Sequence, residues 1–465
     1  MLDKSLFSLS NLIKDKEVSP NDLVDSFLEK IYKTEPEINS YITICADNAR
    51  KRALELERKL LKNDYLGRLH GIPYSAKDVI LTKGIKTTAG SEVFQNNIPS
   101  YNAEIINRLE NAGAVLLGKN NMHEFSFGLT SENEFYGNVL NPINVEYTSG
   151  GSSGGSAASV AVNSSVFSIG TDTGGSVRIP AAFCGVYGLR PTKHRVSMNG
   201  IIPFGKTFDN VGPIAKSSLD IACILPAIIN KVGINQQVID DNLPIYVKDK
   251  SECNSFINNI TIGFCETYYL ENLNKEIKNT FNKVLSLLNL LGFRVVQVDA
   301  PFLKETNDIY ETIRSVDSYN FHKKLLKKYR TKYSTEVLKK IENGKLYSIH
   351  DYEEAMFKLE NYNKRWGEIY SDIDYLVAPT TAEPPFPLRE KYVVKNEKRE
   401  NLRENNTINR TLPSSLNGFP VLSLPCGYTE DNLPLSIQVQ GKPMDEIGVL
   451  TLAYRIEQEI WTNLL

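Results

Sequence analysis

Two glycine-rich turns dominate the sequence: SGGSSGGS at 149–156 and the Gly174-Gly175-Ser176 turn within GTDTGGSVRIP. A flexible linker would continue as low-complexity sequence. Here the helix-forming AASVAV and the strand-like SVFSIG follow the first turn at once, and an apolar strand leads into the second. The turns are therefore tight connections within a folded core.

The surrounding texture predicts an α/β fold. Residues 1–62 read as helices, with Ser19-Pro20-Asn21-Asp22 as a start signal before LVDSFLEKIYK. From 63 to 245, short apolar runs such as 114–117 and 166–169 alternate with Gly/Ser/Pro loops, a mixed α/β pattern. Residues 267–370 turn helical and Lys/Glu-rich around one strand at 293–298. Residues 371–465 return to the core through strands at 375–378, 421–424 and 436–439 and a C-terminal helix. The proline-rich TAEPPFP at 381–387 is flanked by apolar runs on both sides, so it reads as a loop over one core, and 1–465 as one domain.

Composition excludes several function classes. Hydrophobic residues at 41% and charged residues at 23% are ordinary for a soluble globular chain. A net charge of −2 supplies no broad positive field, so nucleic acid is not an expected partner of the chain on its own. The longest apolar stretches, 221–229 and 284–291, fall short of the roughly 18 residues of a membrane span, so no membrane is expected. The first residues lack the pattern of a secretory signal, and a cytoplasmic location is expected. The six cysteines, among them Cys184 and Cys253, form no CxxC pair and lack a His at ligand spacing, which predicts buried thiols and no metal site.

Gly-rich turns also bind phosphate, and GAVLLGK at 113–119 satisfies part of a nucleotide-binding loop. Its four inner residues are an apolar strand, and Asn120 stands where a Mg-binding hydroxyl belongs, which removes that reading. Acyl transfer fits better. Gly150-Gly151-Ser152-Ser153-Gly154 has the G-x-S-x-G form, although the preceding NPINVEYT is too polar for the buried strand that motif requires. Ser176 does follow an apolar strand, and the glycine pair before it lets successive N–H groups face a developing oxyanion. Asp172 and Arg178 flank the turn and are expected to pin it by an ion pair.

A serine nucleophile needs a base. Of the five histidines only His123 has a motif-like context, and a structural role suits it better. Lys77, in GIPYSAKD at 71–78, follows a nearly apolar segment. Desolvation there would lower its pKa from about 10.4 towards the 7–8 of a general base. Standing alone, a surface lysine paired with Asp78 would be the simpler reading.

Taken together, GIPYSAKD, GGSSGGSAA and DTGGSVRIPAAFCGVYGLRPT resemble the amidase signature family, whose members hydrolyse amides with a Ser, cis-Ser, Lys triad. The resemblance extends to MHEFSFGLTSEN and NGFPVLSLPCGY and is weakest over about 230–400. It implies that Ser176 is the acylated nucleophile, that Ser152, entered by a cis peptide, relays its proton, and that neutral Lys77 accepts it. It further implies an oxyanion hole from the N–H groups of Thr173, Gly174, Gly175 and Ser176, and an orienting hydroxyl at Ser153.

The implied fold is a mixed, mostly parallel twisted sheet wrapped by helices, with 267–370 walling the substrate pocket. The implied substrate is a small-molecule amide, with no cofactor; a homodimer is compatible with the family. One alternative in the family is the glutaminase component of glutamyl-tRNA(Gln) amidotransferase, which would bring a tRNA-linked partner. That component usually has Gln after the Arg of its nucleophile loop, Tyr-Gly after its Pro-Thr and an acidic residue near 408. This chain has Ile179, Lys193-His194 and Ile408-Asn409-Arg410-Thr411, which favours a stand-alone amidase. A catalytically inactive binding protein on the same fold would be marked by loss of a triad member, and Lys77, Ser152 and Ser176 are all present.

Overall fold

The computed structural model describes residues 1–230, 260–388, 393–395, 398–400 and 402–463. The boundary expected at 245 and Cys253 lie outside them. Three helices, Leu6–Lys14, Pro20–Ile38 and Ala46–Leu61, open the chain. Ser19 caps the second, accepting from the N–H groups of Asn21 and Asp22, with Pro20 in the first turn where its missing N–H costs nothing. Between the second and third helices lies a short strand, β1 (Tyr41–Ile44), that the helical reading of 1–62 missed.

Ten further strands join β1 in one sheet: β2 (Pro73–Lys77), β3 (Val115–Asn120), β4 (Phe167–Asp172), β5 (Tyr187–Arg190), β6 (Asn210–Ala215), β7 (Thr261–Phe264), β8 (Arg294–Gln297), β9 (Tyr375–Pro379), β10 (Val421–Tyr428) and β11 (Pro434–Gln440). Their order is β1-β3-β2-β4-β6-β5-β10-β11-β9-β7-β8. The expectation of a mostly parallel sheet is wrong. Six neighbouring pairs are antiparallel and four parallel.

Connection length explains the difference. Parallel neighbours need a crossover, and β2/β3, β2/β4 and β7/β8 have helices between them: Glu104–Asn111, Gly154–Ala161 and Lys275–Leu290. The pair β10/β11 instead closes through a tight turn in which the Thr429 N–H donates to the Leu433 carbonyl. Apolar runs reveal strands but not their direction.

Strands β2, β4, β5, β6 and β9 are buried along their whole length, and helices cover the sheet. Residues 381–387 follow β9, with Ala382 and Phe386 buried. Of the helices of 267–370, Lys275–Leu290 buries Ile277, Phe281, Val284, Leu287 and Leu288, while Ile349–Asp372 carries an aromatic cluster. Trp366, on the helix Ile349–Asp372, is buried against Phe302, Tyr362, Tyr370 and Phe419. Trp366→Ala should lower the unfolding free energy by about 3–5 kcal/mol, the usual result of truncating a large buried aromatic. Urea denaturation followed by circular dichroism measures it; a loss below about 1 kcal/mol would mean that this ring does not anchor the wall.

Candidate active site

The site is assembled where β2 and β4, parallel neighbours in the sheet, both end. Lys77 is the last residue of β2 and is fully buried. Its Nζ donates to Ser152 Oγ at 2.7 Å and to Thr171 Oγ1 on β4 at 2.8 Å. Burial pulls its pKa down from 10.5 to about 7, against the opposing pull of Asp209 and Asp172. Asp78 is not its partner. That carboxylate accepts from the Thr88 N–H and hydroxyl, and lies 3.5 Å from Lys119, the lysine of the GAVLLGK segment. Lys119 is fully buried and is engaged by Asp78, the Ile80 carbonyl and the Thr87 hydroxyl, which closes it to phosphate.

Ser152 and Ser153 immediately precede the helix Gly154–Ala161, and the Gly151–Ser152 peptide is cis. Ser153 Oγ donates to the Thr171 carbonyl at 3.1 Å, and its N–H donates to the Ser176 carbonyl at 3.3 Å, so one residue ties the first glycine turn to both β4 and the second turn. The turns also touch directly. Gly150 has φ +74°, and a Cβ there would lie 2.7 Å from Pro180 Cα on the helix Arg178–Phe183, so only glycine permits this approach.

Ser176 stands between β4 and that helix. Asp172, the last residue of β4, holds the turn from within. Its carboxylate accepts from the Gly175 N–H at 2.9 Å, the Val177 N–H at 3.2 Å, Arg178 Nε and Nη2 at 2.9 Å each, and Arg190 Nη1 at 3.2 Å. Asp172, Arg178 and Arg190 are all fully buried. Burial alone would push the Asp172 pKa up, but Arg178 and then Arg190 hold it well below the usual carboxylate range. Arg178 reaches onward to the Thr411 carbonyl at 2.9 Å, Ser414 Oγ at 2.5 Å and Ser415 Oγ at 2.9 Å, fixing the chain before β10 against the turn. Gly175, at φ +133°, would bring a Cβ to 2.3 Å from Thr411 Oγ1.

A cavity of about 200 Å³ opens at Ser176. Thr173, Gly174 and Ser176 line it, facing Phe127, Phe204, Ile408 and, from the helix Thr306–Tyr329, Tyr310 and Arg314. Lys77, Ser152 and Gly175 do not line it. No histidine does either, and His70 is spent on the Leu56 carbonyl.

Sequence reasoning missed Thr171, Arg190 and Asp209. Arg190 was detectable, since an arginine within the apolar strand YGLR must find a buried anion. Asp209, which accepts from Thr173 Oγ1 at 2.5 Å and from the Phe204 N–H at 2.9 Å, had no such signal. The five described cysteines are buried, and among the described residues no His/Cys/Asp/Glu cluster could hold a metal.

The model of the amidase family matches residues 22–450. The chain belongs to the amidase family. A curated relative from Sulfurihydrogenibium sp. (strain YO3AOP1), a component of its glutamyl-tRNA(Gln) amidotransferase, is 33% identical and aligns over 98% of this chain and 96% of its own. A crystal structure of an amidase superposes with a TM-score of 0.87 at 30% identity, covering 98% of this chain and all of that one. The corresponding glutamyl-tRNA(Gln) amidotransferase component from Thermotoga maritima gives a TM-score of 0.78 at 26% identity, over 98% and 95%. Family and fold make this amidase a hydrolase of carboxylic amides, and its backbone follows the amidase more closely than the amidotransferase component. Among the described residues no helix is long and apolar enough to cross a membrane.

The Asp172 arrangement generates a stability prediction. Asp172→Asn leaves two buried guanidinium groups facing a neutral amide, and breaking a buried pair in this way costs about 3–5 kcal/mol. Urea unfolding of the variant should show that loss. A midpoint within experimental error of the parent would contradict the role given to Asp172.

Proposed function

We propose that the protein is a stand-alone amidase in which Ser176 is the nucleophile, Ser152 the proton relay and Lys77 the base. The observation that carries this reading is the 2.7 Å contact between Ser152 Oγ and a fully buried lysine whose pKa lies near neutrality. A lysine at that pKa has a neutral fraction able to accept a proton at pH 7, and its bond to Ser152 gives the proton a path.

Ser176, the triad member that lines the cavity, attacks the substrate carbonyl as its proton passes through Ser152 to Lys77. The tetrahedral oxygen is stabilised by N–H groups of the turn that borders the cavity, Thr173 and Gly174 in particular, since the Gly175 N–H is turned onto Asp172. Return of the proton expels ammonia or an amine and leaves an acyl-enzyme on Ser176. Water, deprotonated by the same relay, then releases the carboxylate. Asp172 and Arg178 act as positioning residues for the turn.

A second reading, the glutaminase component of a tRNA amidotransferase, has the support of the 33% relative. Against it, Ile408 presents a methyl group to the cavity in the region where that component has an acidic residue. Ammonia release by the purified chain from glutamine, an aliphatic amide and an aryl amide separates the two. Release from the simple amides without a partner supports the stand-alone enzyme. Silence, with glutamine turnover only in the presence of charged tRNA and a partner chain, supports the amidotransferase reading.

Two outcomes test the assignments. Ser176→Ala should lower kcat by at least roughly 10⁴-fold with an unchanged circular dichroism spectrum; retained turnover would remove Ser176 from its role. Because neutral Lys77 is the active form, kcat/KM should rise with pH, about tenfold per unit, and level off above about 7. A profile that is flat from pH 5 to 9, or that falls with rising pH, would exclude this lysine as the base.

A further inference from the structure

The cavity at Ser176 carries charge that the relay does not use. Two cations, Arg314 and Lys340, and one carboxylate, Glu311, line it among otherwise neutral residues. Lys340 is held in place, its Nζ donating to the Phe127 carbonyl at 2.8 Å and to Glu336 at 2.7 Å. Arg314 is different. Its side chain is only 12% exposed, and among the described residues its guanidinium meets a single carboxylate, Glu311, through Nη2. Glu311 is half exposed at the mouth. A guanidinium presents five N–H donors in a planar fork, so most of this fork remains for something else.

Its position relative to the reacting turn defines what that is. A Cβ built on Gly174 would fall 2.6 Å from Tyr310 Oη, which places the hydroxyl end of Tyr310 against the turn. Tyr310 and Arg314 are four residues apart on the helix Thr306–Tyr329, hence on one face and roughly 6 Å apart along its axis. Phe127, Phe204 and Ile408 line the same cavity, and their apolar surfaces strengthen any charge interaction made there.

Resting on the amidase reading above, we propose that the enzyme selects amides whose acyl chain ends in a carboxylate, with Arg314 as the residue that binds it. The helical spacing suits ω-amides of four- and five-carbon dicarboxylic acids. The amide carbonyl lies at the Ser176 turn, the chain passes Tyr310, and the carboxylate takes the free edge of the guanidinium as a bidentate pair. Glu311 is then the internal competitor that the substrate carboxylate meets at the mouth.

The test compares kcat/KM for succinamate, its neutral counterpart butyramide and the cationic β-alaninamide by ammonia release. The intact enzyme should prefer succinamate over butyramide by about 30-fold, the scale of one hydrogen-bonded charge pair, and should turn over β-alaninamide most slowly. Arg314→Gln should reduce the succinamate-to-butyramide ratio to about threefold or less, mainly through KM, whereas Glu311→Gln should raise it. The opposite signs keep the test decisive if one variant folds poorly. Equal turnover of the three amides, a preference for β-alaninamide, or a ratio unchanged in both variants would overturn the assignment of Arg314 while leaving the amidase reading intact. Absence of ammonia from every amide would overturn both.

Discussion

Lys77 is a fully buried lysine whose described hydrogen-bond partners are two hydroxyls, and the site is arranged around that contact. The contrast with Lys119 is instructive. Ala76 of β2 and Lys119 of β3 are direct partners in the sheet, so the two lysines sit one residue apart in register, and both are fully buried. Lys119 has Asp78 beside it together with the Ile80 carbonyl and the Thr87 hydroxyl. Lys77 has Ser152 and Thr171. Burial pushes the pKa of both lysines down, and carboxylates oppose it in both cases, Asp78 beside Lys119 and Asp209 and Asp172 around Lys77. What separates the two is the partner within reach: Lys119 lies 3.5 Å from a carboxylate, whereas Lys77 donates to the Ser152 hydroxyl, the contact on which its proposed role as a base rests.

The second constraint is Asp172. A turn that borders a cavity lacks packing on that side, so something behind it must supply the rigidity. Asp172 does this by accepting from the Gly175 and Val177 N–H groups and from two buried arginines at once. Arg178 carries the constraint on to Thr411, Ser414 and Ser415, more than 200 residues later in the chain. The turn that carries Ser176 is therefore stiffened by long-range charge-assisted bonds.

Much of this was legible from the residues. The two glycine turns, the strand that ends in Asp172 and the apolar run before Lys77 each carry a local signal, and the resemblance to the amidase signature family put them in one site. The sheet's strand directions were not legible, because β4, β6 and β5 read as the same kind of apolar run whether they pair parallel or antiparallel. Strand β1 was hidden because four residues between two long helices are too few to show a period of two. Thr171 and Asp209 were invisible for another reason: their roles arise only when β4, the 204–209 loop and β2 converge.

The central claim is that the cavity presents one nucleophile, Ser176, with Ser152 behind it as a relay. Acid quenching of the enzyme during turnover of a slowly deacylated aryl ester, followed by peptide mass mapping, tests this most directly. The account predicts the acyl mass on the peptide that contains Ser176. The same mass on the peptide that contains Ser152, with none on Ser176, would contradict it.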